Sequence, residues 1–384
     1  MTRLFPETGF HEKLQAFRGD VKHVLLLIPT LHGGGAERVI VTLAKFLSRT
    51  QFRLTLAVVD SRRAVFLDEI PRDIQFISLN ASRVRYALPK IVRLIWRLQP
   101  DVVLSTLGHL NLALAMVKLL LPSGTFTIAR ETVVVSHGLR RYAAGAIWAA
   151  FYRWFYRQHD LVICQSRDMC ADIVANFGVP AARTRVINNP VNQSRIRELC
   201  SAVAAFPALP GNATILVAAG RLDYQKGFDI LIEALSLVDD SRVHVIILGE
   251  GSEEQRLKQQ AEYLGLTGRV HFAGFQTNPY AWFSRADAFV LSSRYEGFPN
   301  VVLEALTCGT PVIAVPAPGG TREILDDMAG CVVAGSVEAS ALAGAMIAWL
   351  GGPRERIAST AVLPYRLEHI VGEYERVLAE GVRP

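Results

Sequence analysis

Short apolar runs alternate with helix-periodic segments along most of the chain, and this alternation restricts the fold more than any other feature. The first example is the apolar run 21–29, followed by a glycine loop at 31–35 and a helical pattern over 36–44. A strand joined to the next strand through a crossover helix pairs with it in parallel. The sequence therefore predicts α/β structure with a parallel sheet covered by helices on both faces.

The alternation stops once and then starts again. Residues 206–212 (Phe-Pro-Ala-Leu-Pro-Gly-Asn) are rich in breakers, as a linker would be. A new strand, glycine-flanked loop and helix follow at 213–219, 220–227 and 228–235. We therefore expect two doubly wound, Rossmann-like domains. The predicted divisions are an N-terminal domain at 1–205, a C-terminal domain at 206–365, and a C-terminal helix at 366–384 that can pack back on the first domain.

Composition excludes several classes of protein. The 384 residues are 51% hydrophobic and 20% charged, which suffices for large cores. The five cysteines are scattered without a CxxC pair, so we expect a reducing compartment and no zinc cluster. Residues 1–20 lack a signal-peptide run, and the longest near-continuous apolar run, 110–121, is too short to span a bilayer. The sequence thus predicts a protein that is neither secreted nor membrane-spanning.

Basic and aromatic residues concentrate in two helical segments, 83–97 and 140–157. Basic aromatic helices are typical of contact with an anionic membrane surface. Two alternatives stay open: packed helices whose arginines extend to solvent, and nucleic-acid binding, for which no recognition motif occurs. The net charge of +6 is mild, so the distribution matters more than the sum. We expect peripheral membrane contact and no nucleic acid.

Two glutamates flank the most informative loop. The apolar run Ala288–Leu291 predicts a strand, and Pro299 and Gly309 fit the start and end of a short helix. Glu296 then lies on the loop and Glu304 inside the helix, with seven residues between them. Parallel sheets bind ligands at the carboxyl ends of their strands, and a helix N-terminus there favours anions. The pair suits a nucleotide sugar; the alternative is two surface glutamates on an ordinary crossover.

Other polar residues and glycines follow predicted strands in both halves. The first half offers Gly33, Gly34, His109 and Arg130, and the second offers Arg221, Lys226, Gly274 and Phe275. An arginine that can bind two oxygens and a lysine point charge suit a diphosphate. The alternatives are a solvated loop for the cations, a tight turn for the glycines and a structural role for His109. Two such domains predict a ligand site in the cleft between the carboxyl ends of their sheets.

A family resemblance rests on a set of short motifs. In the second half they are Gly220-Arg221-Leu222, Lys226-Gly227, Glu296-Gly297-Phe298-Pro299, Glu304-Ala305 and Gly309-Thr310-Pro311-Val312-Ile313. Together they resemble the C-terminal domain of family 4 retaining glycosyltransferases of the GT-B fold. The run Gly33-Gly34-Gly35-Ala36-Glu37-Arg38-Val39 and the turn Asn189-Pro190-Val191 resemble members that build bacterial surface polysaccharides and lipid-linked oligosaccharides. The resemblance extends from about Val21 to Ile370.

The resemblance implies roles for individual residues. Arg221 and Lys226 would neutralise the donor diphosphate, Glu296 would hold the sugar hydroxyls and Glu304 the ribose hydroxyls. Gly34 would lie near the phosphates and His109 would contact the transferred sugar. The expected catalytic residues are Arg221, Lys226, Glu296 and His109. The expected substrate-binding residues are Gly33, Gly34, Arg130, Gly274, Phe275, Phe298, Pro299, Asn300 and Glu304.

The activity implied is transfer of a hexose or N-acetylhexosamine, with retention, from a nucleotide sugar to a glycan acceptor that is lipid-linked. UDP is the favoured nucleotide, and front-face attack assisted by the leaving diphosphate is the implied route. No Asp-x-Asp motif occurs, so we expect neither a metal nor a cofactor. The expected location is the inner face of the cytoplasmic membrane. A nucleotide-sugar epimerase and a non-catalytic nucleotide-sugar-binding module remain as alternatives.

Overall fold

Two parallel sheets dominate the computed structural model, which describes residues 21–140, 144–358 and 360–380. The strand order is β3-β2-β1-β4-β5-β6-β7 in the first sheet and β10-β9-β8-β11-β12-β13 in the second. The strands are β1 Lys22–Ile28, β2 Phe52–Val58, β3 Gln75–Ser78, β4 Val102–Thr106, β5 Phe126–Arg130, β6 Leu161–Cys164, β7 Thr184–Val186, β8 Thr214–Ala219, β9 Val243–Leu248, β10 Val270–Gly274, β11 Ala288–Leu291, β12 Val312–Ala314 and β13 Val332–Val333.

Helices connect most of the strands. They are α1 Gly35–Phe46, α2 Val84–Leu98, α3 Gly108–Met116, α4 Val135–Leu139, α5 Gly145–Phe155, α6 Arg167–Phe177, α7 Gln193–Cys200, α8 Phe228–Ser236, α9 Glu254–Tyr263, α10 Tyr280–Phe283, α11 Asn300–Thr307, α12 Thr321–Leu325, α13 Ala339–Gly351 and α14 Leu367–Glu380. Short 3₁₀ turns lie at Leu67–Glu69, Lys118–Leu120, Tyr156–Gln158, Ala181–Arg183, Tyr224–Lys226 and Leu363–Tyr365. The predicted α/β class with two doubly wound sheets is confirmed.

The chain divides into two compact units. Of the described residues, unit 1 comprises 21–130, 155–161 and 373–380, and unit 2 comprises those within 131–154 and 162–372. The apolar faces of β1, β2 and β4 pack with α2 and α3 in the core of unit 1. Two clusters of buried residues, which include β8, β9 and β11, form the core of unit 2. The domain boundaries drawn from the sequence stay a prediction.

Local sequence explains where the central elements of unit 2 begin and end. The four-residue strand β11 is fully buried, as its apolar sequence predicts. Helix α11 begins at Asn300, one residue after Pro299, whose fixed φ suits a helix start. It ends before Gly309, which has a left-handed φ of 77° that glycine adopts without strain. Strand, loop and helix therefore follow one another as predicted from the sequence.

No helix in the described ranges is both long enough and apolar enough to cross a lipid bilayer. The basic segments predicted to touch a membrane form α2 and α5, although Arg141 and Tyr142 lie outside the described residues. Both helices keep large aromatic side chains exposed: Trp96 is 54% exposed and Trp154 is 71% exposed.

Candidate functional site

Lys226 and Glu296 form an ion pair at the carboxyl end of the second sheet. The Nζ of Lys226 lies 2.7 Å from Oε1 of Glu296, and the Ser293 hydroxyl donates to the same oxygen at 2.6 Å. The two residues are 70 positions apart, but they follow β8 and β11, which are parallel neighbours in the sheet. Only 6% of Glu296 is exposed, so the carboxylate is fixed by two donors rather than by water.

Glycines let the two loops approach each other closely. A Cβ at Gly227, which has φ 62°, would lie 2.1 Å from the carbonyl oxygen of Ser292. A Cβ at Gly220 would lie 3.2 Å from the methylene carbons of Lys226. Close packing therefore explains why glycines flank this loop, since side chains there would displace Lys226 or the end of β11.

Arg221 lies on the same loop but is exposed. Its side chain is 73% accessible, and its nearest acidic partner is Asp223, at 3.8 Å from Nη1 to Oδ2. Asp223 itself caps the short turn at Tyr224–Lys226 by accepting from the Lys226 backbone N–H at 3.3 Å. The loop thus presents one exposed guanidinium beside an ammonium that is paired with a buried carboxylate.

A second ion pair holds the Glu296 loop in place. Arg294 donates to both carboxylate oxygens of Asp229 on α8, at 2.8 and 2.7 Å. Its guanidinium also lies 4.0 Å from the centre of the Tyr224 ring. Bidentate pairing and cation–π contact both favour arginine here over lysine. Arg294 and Asp229 were not singled out from the sequence, because only the strand order brings them together.

The predicted residues at the start of α11 face different surroundings. The Phe298 ring is 5% exposed and packs against Tyr365, with ring centres 5.5 Å apart, so its side chain belongs to the core. The Asn300 side chain accepts a 2.6 Å hydrogen bond from Asn189. Pro299 precedes the helix, and Glu304 is half-buried within it. The proposed contacts of these residues with substrate stay predictions.

Gly274 and Phe275 lie at the end of β10. Gly274 has φ 67°, a conformation that favours glycine. Phe275 is 68% exposed, which is a large fraction for an aromatic residue. Its backbone N–H points to Oε1 of Glu250 at 3.5 Å. An exposed aromatic ring at the carboxyl edge of the sheet has a face on which a planar base can stack.

Unit 1 places its predicted residues at the ends of β1, β4 and β5. The Glu37 carboxylate folds over the glycine loop, because a Cβ at Gly34 would lie 2.2 Å from its Oε2. Thr30 donates to the other oxygen of Glu37 at 3.0 Å. Gly33 has φ 100°, which few other residues adopt. The glycine loop therefore packs closely against the Glu37 side chain in the first turn of α1.

His109 and Arg130 differ in exposure. His109 is exposed in the first turn of α3, and partial desolvation of its imidazole lowers the pKa. Leu107, which caps this helix, has φ 74°, a strained value for leucine. Arg130 is fully buried and donates to Tyr374 at 2.9 Å and Thr106 at 3.2 Å. Its predicted role in substrate binding is untested, and these contacts favour a role in holding α14.

Comparison with known proteins identifies the family. The model for glycosyltransferase family 4 matches residues 33–195, and that for glycosyl transferases group 1 matches residues 204–361. Between them the two matches include strands of both sheets. The chain belongs to the family 4 glycosyltransferases. The resemblance seen in the sequence motifs is therefore confirmed.

Two curated relatives of this family 4 glycosyltransferase are named for lipopolysaccharide core biosynthesis and for a diphospho-undecaprenol substrate. The lipopolysaccharide core biosynthesis glycosyltransferase LpsE of Rhizobium meliloti is 32% identical over 59% of the chain and 66% of its own length. An N-acetylgalactosaminyltransferase of Campylobacter jejuni, named for a diphospho-undecaprenol substrate, is 25% identical over 79% of the chain and 83% of its own length. The chain spans less than two thirds of LpsE and 60% of an uncharacterized glycosyltransferase from Methanocaldococcus jannaschii.

A solved structure confirms the GT-B fold. The Anabaena protein HepE, crystallised in complex with UDP and glucose, matches 94% of the chain and 100% of its own length. The TM-score is 0.73 and the sequence identity is 21%. At this identity the likeness establishes the fold alone.

Within unit 2, the structure of the family 4 glycosyltransferase brings part of the predicted set together. Lys226 and Glu296 are in direct contact, and Arg221 is on the loop that carries Lys226. Gly297, which sequence reasoning used only as a motif residue, has a structural role of its own. A Cβ on it would lie 2.0 Å from the Thr132 carbonyl oxygen in the same unit. The catalytic and substrate-binding assignments all stay predictions.

Proposed function

We propose that the protein is a retaining glycosyltransferase that uses a UDP-sugar and makes cell-surface polysaccharide or oligosaccharide. The sugar is a hexose or N-acetylhexosamine, and the acceptor is a lipid-linked glycan. The observation that carries this proposal is the Lys226–Glu296 pair with Arg221 on the same loop. It provides two positive charges and one fixed carboxylate at the sheet edge where GT-B proteins and other open α/β folds bind ligands.

Arg221 and Lys226 supply the charge stabilisation that the leaving group needs. When the bond from C1 to the diphosphate breaks, its electron pair leaves with the UDP oxygen. Fixed cations next to that oxygen stabilise the developing charge more in the transition state than in the ground state. The proposal therefore includes no metal and no cofactor, which fits the lack of an Asp-x-Asp motif.

Glu296 is proposed to hold the sugar while the bond is exchanged. Its Oε1 is fixed by Lys226 and Ser293, which orients the carboxylate toward a hydroxyl of the donor sugar. The acceptor oxygen then bonds to C1 on the face from which UDP departs, and the hydroxyl proton passes to a diphosphate oxygen. Configuration at C1 is retained without a covalent intermediate on the enzyme.

The acceptor proposal is supported by a relative and by two surface helices. The Campylobacter relative is named for a diphospho-undecaprenol substrate. Helices α2 and α5 carry arginines next to exposed tryptophans, a combination found at membrane interfaces. We therefore propose peripheral contact with the anionic inner face of the cytoplasmic membrane, and no nucleic acid as partner.

The test is a product analysis. The protein is incubated with a set of labelled UDP-sugars and lipid-linked acceptors extracted from bacterial membranes, and the glycosidic bond formed is analysed by NMR. We expect a new bond with the anomeric configuration of the donor. An inverted product contradicts the retaining assignment, and an epimerised nucleotide sugar without acceptor indicates an epimerase. UDP binding without turnover on any acceptor indicates a non-catalytic module.

A further inference from the structure

A cavity of about 340 Å³ lies between α4, α5 and α6 in unit 2. None of the predicted donor-site residues lines it. Its apolar wall is formed by Leu139, Ala146, Ala149 and Phe177. The volume is within the range of small-ligand pockets, about 300–1,000 Å³. The cavity is therefore large enough for a ligand and is separate from the residues proposed to bind UDP.

Two arginines line the same cavity. Arg140 follows α4, and Arg153 lies on α5, where its Nε donates to the Asn176 carbonyl oxygen at 2.9 Å. No carboxylate is among the lining residues, all of which are described. Asp172, on the neighbouring turn of α6, is 8% exposed and accepts from the Ser136 backbone and the Asn176 side chain. The charge facing the cavity is therefore positive, which favours an anionic group.

Helix α5, which lines the cavity with Ala146, Ala149 and Arg153, also carries large apolar side chains that are exposed. Ile147 is 61% exposed, Trp148 is 45% exposed and Trp154 is 71% exposed, whereas only Tyr152 of this helix is fully buried. Three large apolar side chains exposed on one short helix favour a binding surface there. Tryptophans interspersed with arginine are typical of helices that lie at the boundary between lipid headgroups and acyl chains.

We propose that this cavity binds the phosphate end of a polyprenyl phosphate or diphosphate lipid. The phosphate lies between Arg140 and Arg153, and the first isoprene units contact Leu139 and Phe177. The rest of the chain follows the exposed face of α5 into the bilayer. This inference rests on the proposed function, since it names the place where the lipid part of the acceptor is held.

The probe is farnesyl diphosphate, a short polyprenyl diphosphate, titrated by isothermal calorimetry and by the fluorescence of the tryptophans on α5. The test variant is Arg140→Gln/Arg153→Gln. Both side chains are exposed, so folding should be preserved. The matched control, Arg157→Gln/Arg183→Gln, removes the same charge from exposed residues outside the cavity. We expect the test variant to bind at least tenfold more weakly than the wild type and the control to stay within twofold.

A second variant tests the apolar wall. Ala146→Trp places a large ring in the cavity while both arginines are kept, so it should reduce farnesyl diphosphate binding by at least tenfold. Sodium diphosphate, farnesol and phosphatidylglycerol vesicles serve as competitors that carry only part of the ligand's chemistry. We expect each to compete at least tenfold less well than farnesyl diphosphate.

The inference is overturned if the wild type does not bind farnesyl diphosphate, or if binding is unchanged in the double arginine variant or in Ala146→Trp. It is also overturned by equal competition from sodium diphosphate, which would indicate a plain anion site, or from phosphatidylglycerol vesicles, which would indicate a general membrane-docking surface. UDP binding is measured in the same samples. If the wild type does not bind UDP, the proposed donor is contradicted. If it binds UDP but not farnesyl diphosphate, only the lipid site is contradicted.

Discussion

Lys226 and Glu296 form a pair that is only partly buried, and this determines what each substitution tests. The Lys226 side chain is 22% exposed and that of Glu296 is 8% exposed. Removing one partner of such a pair leaves the other charge desolvated, which costs more than the pair contributes. A substitution at Lys226 therefore changes folding stability as well as any role in catalysis.

Arg221→Ala and Lys226→Ala should each reduce turnover by about 10²–10³-fold, since one preorganised charge contact contributes roughly 3–4 kcal/mol in the transition state. Their stabilities should differ. Arg221→Ala should leave the unfolding free energy unchanged, because the side chain is 73% exposed. Lys226→Ala should lower it by about 1–3 kcal/mol, less than for a fully buried pair. Steady-state kinetics and urea denaturation measure the two effects.

The double variant Lys226→Ala/Glu296→Gln separates stability from catalysis. It should regain most of the unfolding free energy, because no buried charge is left unpaired, while turnover stays low. Near-normal turnover in both single variants contradicts the diphosphate assignment. A double variant that recovers both turnover and stability also contradicts the diphosphate assignment.

The contact between these two side chains could not be predicted from the sequence. Each was predicted as part of a donor site from its motif, one at the phosphate end and one at the sugar end. Their direct contact depends on β8 and β11 being neighbours in the sheet, although β9 and β10 lie between them in sequence. Local patterns predict strands well, but they do not specify strand order, which depends on tertiary packing.

At the scale of elements, Gly297 sets how closely the Glu296 loop approaches residues 132–133. Gly297→Ala should lower the melting temperature and turnover together, because its Cβ would lie 2.0 Å from the Thr132 carbonyl oxygen, a backbone atom that cannot rotate away. Gly335→Ala is the matched control, since a Cβ there meets nothing within 4 Å. Thermal unfolding and steady-state kinetics measure the melting temperature and turnover of both variants. Equal values for the two variants would contradict the steric explanation.

The C-terminal helix is held in unit 1 by a buried hydrogen bond. Tyr374 is fully buried, its pKa is raised by burial, and its hydroxyl accepts from Nε of Arg130. Tyr374→Phe should lower the unfolding free energy by about 1.5–3 kcal/mol, the range for a hydrogen bond to a charged group. Tyr263→Phe is the control, since Tyr263 is 90% exposed. Similar denaturation midpoints for both variants would rule out a stabilising role for the bond.

The contacts of Arg130 could not be predicted from its position at a strand end. It was predicted as a substrate-binding residue because it ends β5, on the edge where polar residues meet ligands. The structure shows that its guanidinium bonds Thr106 and a tyrosine 244 residues away. The sequence pattern places Arg130 at the carboxyl edge of the sheet, but the packing of α14 determines which groups its side chain contacts.

At the scale of the whole molecule, two buried histidines make stability depend on pH. Burial lowers the pKa of both His23 and His159 to about 4. His23 contacts the Thr55 hydroxyl, and His159 contacts the Asn111 carbonyl oxygen, each at 2.9 Å. Neighbouring charges act in both directions, Arg53 and Lys118 lowering the pKa and Asp101 and Asp160 raising it, so burial dominates.

The unfolding free energy should therefore fall as the pH is lowered from about 6.5 to about 4. In that window the unfolded chain binds protons at these histidines and the folded chain does not, so each contributes up to roughly 1.4 kcal/mol per pH unit. His159→Gln should flatten the curve, whereas His369→Gln, at an exposed position, should leave it unchanged. Urea denaturation between pH 4.5 and 7.5 measures this. A wild-type curve that is flat in this window would contradict the assignment.

Two GT-B sheets were predictable because strand and helix periodicities are strong and repeated. The composition of the compact units was not, because residues 131–154 and 162–205 fall in unit 2 although β6 and β7 belong to the first sheet, and residues 373–380 fall in unit 1. Chain order alone predicts one break at the linker, whereas contacts formed far apart in sequence decide the grouping.

The most direct test of the central proposal is calorimetric titration with UDP in the presence of EDTA. We expect the wild type to bind UDP without metal. Arg221→Ala and Lys226→Ala should each weaken binding by about 10–100-fold, which corresponds to a charge-assisted hydrogen bond of roughly 1.5–3 kcal/mol. The exposed Arg285→Ala serves as control and should bind like the wild type. No UDP binding by the wild type, or unchanged binding in both loop variants, would contradict the proposed donor site.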